Sequence, residues 1–167
     1  MMDTMPIWLR AAAFIAVMPG AIAGWLPLWI AGRLSSPWRA PDPAWRWLGL
    51  ALVVAGWALL LWCARDFARR GRGTPAPYDP PRTLVTDGLY RYTRNPMYVG
   101  VVTAILGWAL WLDSRAVLVY AACMAIAFHL RVLLYEEPTL RRLFGSEFDA
   151  YCARVSRWVP RPVRRSG

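Results

Sequence analysis

Long runs of apolar residues, separated by polar connections, are the main feature of this sequence. The apolar runs lie at about residues 7–30, 47–63, 98–112 and 116–135. Because a helix needs ~20 residues to cross about 30 Å of hydrocarbon, the pattern predicts an all-α integral membrane protein with four transmembrane helices. The third run is short for a full crossing, so we expect its helix to begin or end in polar protein. We expect a single domain over residues 1–167.

A second interpretation of the first run is a cleaved signal peptide. Arg10 precedes a short apolar stretch, and Ala21-Ile22-Ala23 resembles a cleavage site. The apolar character nevertheless continues to Ile30 and includes Trp25 and Trp29. We therefore expect this run to be retained as a membrane helix.

Two shorter features accompany the last two apolar runs. Only Asp113-Ser114-Arg115 separates the third run from the fourth, which predicts a tight antiparallel hairpin. After the fourth run, Thr139–Val155 carries apolar residues at helical spacing among charged ones. This pattern predicts an amphipathic cytoplasmic helix, and helices of this kind commonly lie on the lipid headgroups.

The distribution of basic residues predicts the orientation in the membrane. All 20 basic residues are Arg, and the net charge of the chain is +10. Seven Arg lie in the connection 64–96 and seven more follow Tyr135, whereas the connection 31–44 holds only Arg33 and Arg39. The positive-inside rule therefore places both termini and the long middle connection in the cytoplasm.

The same charges favour membrane lipids over nucleic acid as a partner. The Arg residues flank apolar runs and no nucleic-acid-binding motif accompanies them, so we expect contact with anionic headgroups. The Lys-free, Arg- and Ala-rich composition is typical of a GC-rich bacterial genome, which indicates a bacterial inner membrane. Cys63, Cys123 and Cys152 have neither CxxC nor zinc-ligand spacing, so we expect free thiols and no metal site.

Ionisable side chains at membrane depth are costly and are therefore candidates for function. His129 precedes Glu136 by seven residues, so two helical turns place both on one face, with Val132 between them. Arg131 is expected to point elsewhere, toward Tyr135. In the alternative interpretation His129 is a packing residue, Arg131 extends to the headgroups and the glutamates are solvated.

The beginning of the third run is a second candidate site. Asn95 is a favourable helix N-cap and Pro96 fits the first helical turn. Free backbone N–H groups at this helix end, together with the adjacent Arg94, suit a carboxylate or a phosphate. An ordinary capped helix with interfacial tyrosines would give the same pattern.

Several blocks in the second half of the chain occur in the order and spacing of one family. They are 82–90 (RTLVTDGLY), 94–100 (RNPMYVG), 136–138 (EEP) and the tail from Phe144 to Pro160. Together they resemble the isoprenylcysteine carboxyl methyltransferase and phospholipid methyltransferase superfamily of integral membrane enzymes. The first two apolar runs carry no such signature.

The resemblance implies an S-adenosylmethionine-dependent methyltransferase that acts on a lipophilic or lipid acceptor. It places the cofactor at the cytoplasmic ends of the last helices, within the segments 82–98 and 136–160. The cofactor-binding positions that it implies are Arg82, Thr83, Leu84, Val85, Tyr90, Asn95, Pro96, Met97, Tyr98 and Glu136. Arg94 is implied as a catalytic residue, and Arg131 and Arg154 as substrate-binding residues. An amine acceptor would also need a base, for which Glu137 and His129 are the candidates.

Two positions depart from the family pattern. Asn95 stands where the family most often has His, and Asn cannot titrate near neutral pH, which excludes acid–base work at this position. Val132 stands where the eukaryotic carboxyl methyltransferases have a substrate-binding Arg, which argues against a prenylcysteine carboxylate. The acceptor therefore stays open among amines, carboxylates and thiols. Two other classes also remain: an NADPH-dependent reductase with a related membrane core, and a non-catalytic lipid-binding protein.

Overall fold

The computed structural model describes residues 17–34, 44–66 and 83–159, and this part of the chain is helical without strands. The all-α prediction is therefore confirmed for the described residues. The beginning of the first apolar run (residues 7–16), Arg82 and both chain termini lie outside them, as does most of the long middle connection.

The helices follow one another closely along the chain. They are, in order, a π-helical turn Ala21–Trp25 that leads into α1 (Leu26–Arg33), then α2 (Ala44–Asp66), a 3-10 turn Gly88–Arg91, α3 (Pro96–Trp111), α4 (Arg115–Arg131), a π-helical turn Val132–Glu136, α5 (Glu137–Phe144) and α6 (Ser146–Arg154). Through the second π turn, α4 and α5 form one continuous helix, Arg115–Phe144.

Two of the described helices are long and apolar enough to cross a membrane. They are Ala44–Asp66, with 23 residues, and Arg115–Phe144, with 30 residues, and both have a mean hydropathy of 2.1. Helix α3 is apolar but has 16 residues, which give about 24 Å against the ~30 Å of a hydrocarbon core. Four membrane spans are therefore not confirmed, because α3 is too short by itself and the first run is described only from residue 17.

Glycines bring α2 and α3 into backbone contact. A Cβ atom added at Gly56 in α2 would lie 2.6 Å from both Ala104 N and Gly100 O of α3. One added at Gly49 would lie 2.6 Å from Trp111 N and 2.8 Å from Gly107 O, so the two helices run antiparallel. Small residues at these positions let the helix axes approach closely, as is common between membrane helices.

Helices α3 and α4 form the tight hairpin that the sequence predicts. Asp113 adopts a positive φ of 51° in the turn, and the buried Ser114 caps α4 by accepting a hydrogen bond from Val117 N (3.4 Å). At the other end of the hairpin, Tyr98 of α3 stacks on Phe128 of α4, with ring centroids 4.4 Å apart. The hairpin therefore keeps the start of α3 beside the end of α4.

The first π turn fastens the N-terminal helix to this hairpin. A π-helical turn displaces the regular backbone hydrogen bonds and frees carbonyl groups for other donors. Here Trp108 Nε1 donates to Ala23 O (2.9 Å) and the Tyr120 hydroxyl donates to Ile22 O (3.0 Å). The indole and phenol groups of α3 and α4 thereby hold the helix that precedes α1.

The C-terminal amphipathic helix differs from the prediction. Instead of one helix over Thr139–Val155, the chain forms α5 and α6, which are separated by Gly145 at a φ of 52°. A positive φ interrupts the helix and is readily adopted by glycine. Phe148 and Tyr151 of α6 are only 2% and 4% exposed. They pack against Leu84 and α5 within the protein, so their apolar face is not directed at lipid headgroups.

Candidate functional site

A cleft lies where α3 begins, where α4 passes into α5, and beside α6. It is partly open to solvent. Its walls are formed by Leu84, Val85, Tyr90, Arg94, Asn95, Val132, Glu136, Glu137, Leu140, Phe148 and Tyr151. Apolar side chains predominate, and the ionisable groups are an arginine and two adjacent glutamates.

The carboxylate of Glu136 is oriented by two donors. Its Oε1 accepts a short hydrogen bond from the Tyr98 hydroxyl and a second bond from Arg131 Nε (2.9 Å). Arg131 Nε also lies 3.1 Å from the Tyr98 oxygen. Tyr98 does not line the cleft itself but positions a group that does.

The π turn explains why Arg131, and not His129, contacts Glu136. In a regular α-helix, residues seven apart share a face. The sequence therefore predicted His129 on the face of Glu136 and Arg131 on another. The wider turn over Val132–Glu136 brings residues five apart together instead, so the predicted orientation of Arg131 is wrong in this respect. Arg131 also lies over the ring of Tyr135 (5.6 Å), as expected.

Glu137 is the centre of a partly buried ion-pair cluster. Arg157 binds its carboxylate through two parallel contacts, Nε to Oε1 (2.6 Å) and Nη2 to Oε2 (2.9 Å). Arg94 Nη2 approaches Oε1 from the other side at 3.3 Å. The side chains of Glu137 and Arg94 are 12% and 13% exposed. Both oxygens of this glutamate are therefore occupied by guanidinium groups.

Arg94 keeps one buried donor without a partner. Its Nη1 donates a short bond to Cys152 Sγ and its Nη2 contacts Glu137. Its Nε is buried and has no hydrogen-bond partner among the described residues. Leaving a buried donor unsatisfied is costly, so this nitrogen marks Arg94 as a strained member of the cleft wall.

Asn95 occupies the predicted N-cap position but does not cap the helix through its side chain. No cap hydrogen bond is made by its side chain, and Pro96 follows it in the first turn as predicted. The Asn95 amide Nδ2 instead donates to Arg157 O (3.1 Å), as does Thr93 Oγ1 (2.9 Å). The side-chain amide of Asn95 thus attaches the start of α3 to the C-terminal segment and does not cap the helix.

The end of the cleft at the 3-10 turn is held by two tyrosines, of which Tyr151 is buried and Tyr90 is partly buried. The Tyr151 hydroxyl donates to Tyr90 O at 2.6 Å. Burial raises the pKa of both Tyr151 and Tyr90, so both phenols stay protonated at neutral pH. Gly88 begins this turn with a φ of 62°, and a Cβ there would lie 2.0 Å from Asp66 Oδ2, so only glycine fits.

The other predicted residues that the structure describes are not in the cleft wall. The ring of His129 accepts a hydrogen bond at Nδ1 from Trp158 Nε1 (3.0 Å). Arg154 is exposed and donates from Nε to Ala150 O (3.3 Å). Thr83 is exposed, Pro96 is buried at the start of α3, and Met97 packs against the main hydrophobic core. The cofactor contacts assigned to these three residues stay predictions. Arg82 lies outside the described residues.

Several groups at the cleft were not predicted from the sequence as site residues. They are Leu140, Phe148, Tyr151 and Val132 in the wall, and Arg157 behind it. The first three belong to the apolar face of the amphipathic pattern, and that pattern is the signal that could have assigned them. Arg157 is one of seven tail arginines and carries no signal of its own.

The arrangement suits a ligand that has both polar and apolar parts. Arg94 can bind a carboxylate, Glu136 can accept from hydroxyl or ammonium groups, and the aliphatic and aromatic walls can pack a flat ring. Within the described part of the chain, no three His, Cys, Asp or Glu side chains are grouped so that they could hold a metal ion.

Comparisons with known proteins give a consistent result. Residues 44–147 match the family model described as phospholipid methyltransferase. A probable protein-S-isoprenylcysteine O-methyltransferase of Oryza sativa subsp. indica is 27% identical over 118 residues, which are 68% of this chain and 60% of the rice protein. Methanethiol S-methyltransferase 1 of Bradyrhizobium diazoefficiens is 37% identical over 81 residues, 48% of this chain and 27% of that protein.

A further relative has a different kind of name. The cobalt-zinc-cadmium resistance protein CzcN of Cupriavidus metallidurans is 34% identical over 117 residues, 68% of this chain and 47% of that protein. The matched part of the chain thus spans 60% or less of the length of each of these relatives.

Proposed function

Because the chain belongs to the phospholipid methyltransferase family, we propose that it is a membrane enzyme that transfers a methyl group from S-adenosylmethionine to a lipophilic acceptor. The observation that carries the proposal is the cleft in which Arg94 and Glu136 face one space with apolar walls. Two of the relatives are named as methyltransferases, one acting on an isoprenylcysteine and one on methanethiol.

The residues of the cleft fit the proposed cofactor. Arg94, whose side chain lines the cleft, is the proposed guanidinium donor for the methionine carboxylate. Glu136, whose Oε1 is held by Tyr98 and Arg131, is an acceptor for ribose hydroxyls. Leu84 and Phe148 supply an apolar wall for the adenine ring.

The contribution of the protein to catalysis is positional. When bound, S-adenosylmethionine supplies an electrophilic methyl group on a sulfonium centre. The chain has to hold donor and acceptor in line and to exclude water, which lowers the barrier through orientation rather than through acid–base chemistry. Val132 and Leu140 provide the apolar surface at which a lipophilic acceptor approaches.

The ion pairs favour an acceptor that is already ionised, namely a carboxylate or a thiolate. An amine has to lose a proton, and both candidate bases are occupied. Glu137 accepts at both oxygens from Arg157, and His129 accepts at Nδ1 from Trp158. A group whose lone pairs are held by donors is a poor general base. A carboxylate or a thiolate needs no base at all.

The membrane arrangement is also part of the proposal. Helix α2 and the helix Arg115–Phe144 cross the bilayer, α3 and the apolar run before α1 complete four spans, and residues 1–167 form one domain. The Arg distribution places both termini and the cleft on the cytoplasmic side of a bacterial inner membrane. Single cysteines at the exposed positions Arg115 and Ser146, introduced with the native cysteines replaced, test this arrangement. An impermeant maleimide should label the first in intact cells and the second only after permeabilisation, and the reverse pattern would exclude this orientation.

The first test of the function is thermal stabilisation of the detergent-solubilised protein. S-adenosylmethionine and S-adenosylhomocysteine should each raise Tm. At about 100 times Kd, binding adds ~2.7 kcal/mol to the stability of the folded state. For a chain of this size that corresponds to an increase of about 5–11 °C. NADPH should produce no shift.

Matched variants connect the shift to the cleft. Glu136→Gln removes the proposed ribose acceptor and should abolish most of the stabilisation. Glu147→Gln makes the same chemical change on an exposed side chain of α6 and should leave the stabilisation unchanged. Stabilisation by NADPH alone would indicate a reductase. Absence of any shift with millimolar S-adenosylmethionine would exclude the proposed cofactor and leave a lipid-binding role.

A further inference from the structure

The segment Ser156–Trp158, here called the tail clamp, crosses the start of α3. Ser156 O accepts from Arg94 N (3.0 Å), and Arg157 O accepts from Thr93 Oγ1 and Asn95 Nδ2 (2.9 and 3.1 Å). Thr93 is only 5% exposed, so these bonds lie inside the protein. The clamp therefore covers the backbone that carries Arg94.

The clamp also has two side-chain attachments. Trp158 Nε1 donates to His129 Nδ1 at the end of α4 (3.0 Å). The guanidinium of Arg157 forms the two-point contact with Glu137 at the start of α5 (2.6 and 2.9 Å). One short segment thus joins the beginning of α3 to the junction of α4 and α5, the two elements that carry the charged groups of the cleft.

We propose that Arg157 is a positioning residue that keeps Arg94 available to a ligand by holding Glu137 in place. This inference rests on the proposed function, since the ligand in question is the cofactor of that cleft. Arg157 and Arg94 share Glu137 Oε1, at 2.6 and 3.3 Å. Without Arg157, Arg94 is the arginine that remains in direct contact with Glu137, and the two groups close onto each other.

The chemistry of the contact requires an arginine. A planar guanidinium binds both carboxylate oxygens at once and fixes the orientation of the carboxylate, whereas an ammonium group binds as a point charge. Arg157→Lys therefore keeps the charge but not the orientation. Arg157→Gln removes both. Arg142→Gln, on the exposed surface of α5, removes one positive charge without touching the cluster and is the matched control.

The experiment has one readout with ligand and one without it. The first is the Kd for S-adenosylhomocysteine, measured well below Tm. All proteins carry Cys123→Ser, because Cys123 is exposed and would also react with maleimide. The second is the rate at which maleimide alkylates Cys152, which lies in α6 just before the clamp and accepts a bond from Arg94 Nη1. Cys63 is buried and is expected to react slowly.

We expect Arg157→Gln to weaken S-adenosylhomocysteine binding by about tenfold, within the range of coupled neighbouring residues. Cys152 should be alkylated several-fold faster in Arg157→Gln than in the parent protein. Arg157→Lys should give values between those of the parent and Arg157→Gln in both readouts, and Arg142→Gln should match the parent. Unchanged affinity in Arg157→Gln would overturn the inference, whatever the alkylation rate. If Arg157→Gln does not fold, Arg157→Lys decides by the same two readouts.

The two proposals fail in different ways. If the parent protein binds no S-adenosylhomocysteine, the proposed function fails. The alkylation rates then still decide whether Arg157 holds the clamp, because they need no ligand. If the parent binds and Arg157→Gln binds equally well, the function stands and the positioning role is wrong.

Discussion

Glu136 and Glu137 are neighbours with the same side chain, and the structure gives them opposite roles. Glu137 is 12% exposed and bound by two arginines. Glu136 is 26% exposed and faces the cleft. We therefore predict that Glu137→Gln chiefly lowers stability, whereas Glu136→Gln chiefly lowers cofactor affinity and leaves stability almost unchanged.

The expected cost of Glu137→Gln follows from the ion pairs that it breaks. Removing one partner of a buried pair typically costs about 3–5 kcal/mol, because the other charge stays buried. Arg157 is 29% exposed and can rehydrate in part, which reduces the cost. We expect about 2–3 kcal/mol, which corresponds to a decrease in Tm of roughly 4–12 °C for a chain of this size.

The same argument gives a small cost for Glu136→Gln. Its partner Arg131 is 40% exposed, and exposed ion pairs contribute only about 0–1 kcal/mol. The amide oxygen of glutamine can still accept the Tyr98 hydroxyl. Hydrogen bonds to a charged group contribute about 1.5–3 kcal/mol, so losing the carboxylate should weaken cofactor binding by about 10- to 150-fold.

Two measurements on the same preparations separate the effects. Tm is recorded without ligand, and the Kd for S-adenosylhomocysteine is measured at a temperature at which every variant is folded. Glu147→Gln is the control for both. If Glu136→Gln lowers Tm as much as Glu137→Gln does, or if Glu137→Gln leaves Tm unchanged, the assignment of the two roles is refuted.

Two further predictions concern the contact between α2 and α3 and the buried Tyr151. Gly56→Ala places a Cβ 2.6 Å from backbone atoms of α3, and overpacking of this kind costs about 1–3 kcal/mol. Gly32→Ala meets no atom within 4 Å and should leave Tm unchanged or slightly higher, so equal Tm values for the two variants would contradict the close packing. Burial raises the pKa of Tyr151, so its contribution to stability is complete below the unfolded pKa of about 10 and is lost as pH rises above it. Tyr151→Phe should lower Tm at neutral pH and flatten the decrease above about pH 10, and an alkaline decrease parallel to that of the parent would show that Tyr151 does not contribute.

The helices were predictable because their signal is local. A run of apolar residues specifies a helix wherever it is buried, in lipid or in protein, so the predicted run 47–63 falls inside α2 and the run 98–112 nearly coincides with α3. The π turns were not predictable in this way. The turn Ala21–Trp25 is supported by donors from Trp108 and Tyr120, which are remote in sequence.

The residues of the cleft were predictable only where a motif marks them. Leu84, Tyr90 and Glu136 belong to ordered blocks and line the cleft, whereas their contacts with a cofactor stay predictions. Arg157 pairs with a residue 20 positions away, and nothing in a tail with several arginines distinguishes it from Arg154, which the motif favoured. The tertiary structure decides which of several arginines pairs with a given carboxylate, and a sequence pattern does not contain that information.

The charges around the cleft bear on the choice of acceptor. Glu136 and Glu137 are paired with the guanidinium groups of Arg94, Arg131 and Arg157, so these five side chains carry a net charge of +1. An anionic acceptor lowers the electrostatic energy of such a site, whereas a protonated amine raises it. An amine would also have to lose its proton to a carboxylate that two arginines already hold. The ion pairs that stabilise the cleft therefore also favour a carboxylate or thiolate acceptor over a phospholipid amine.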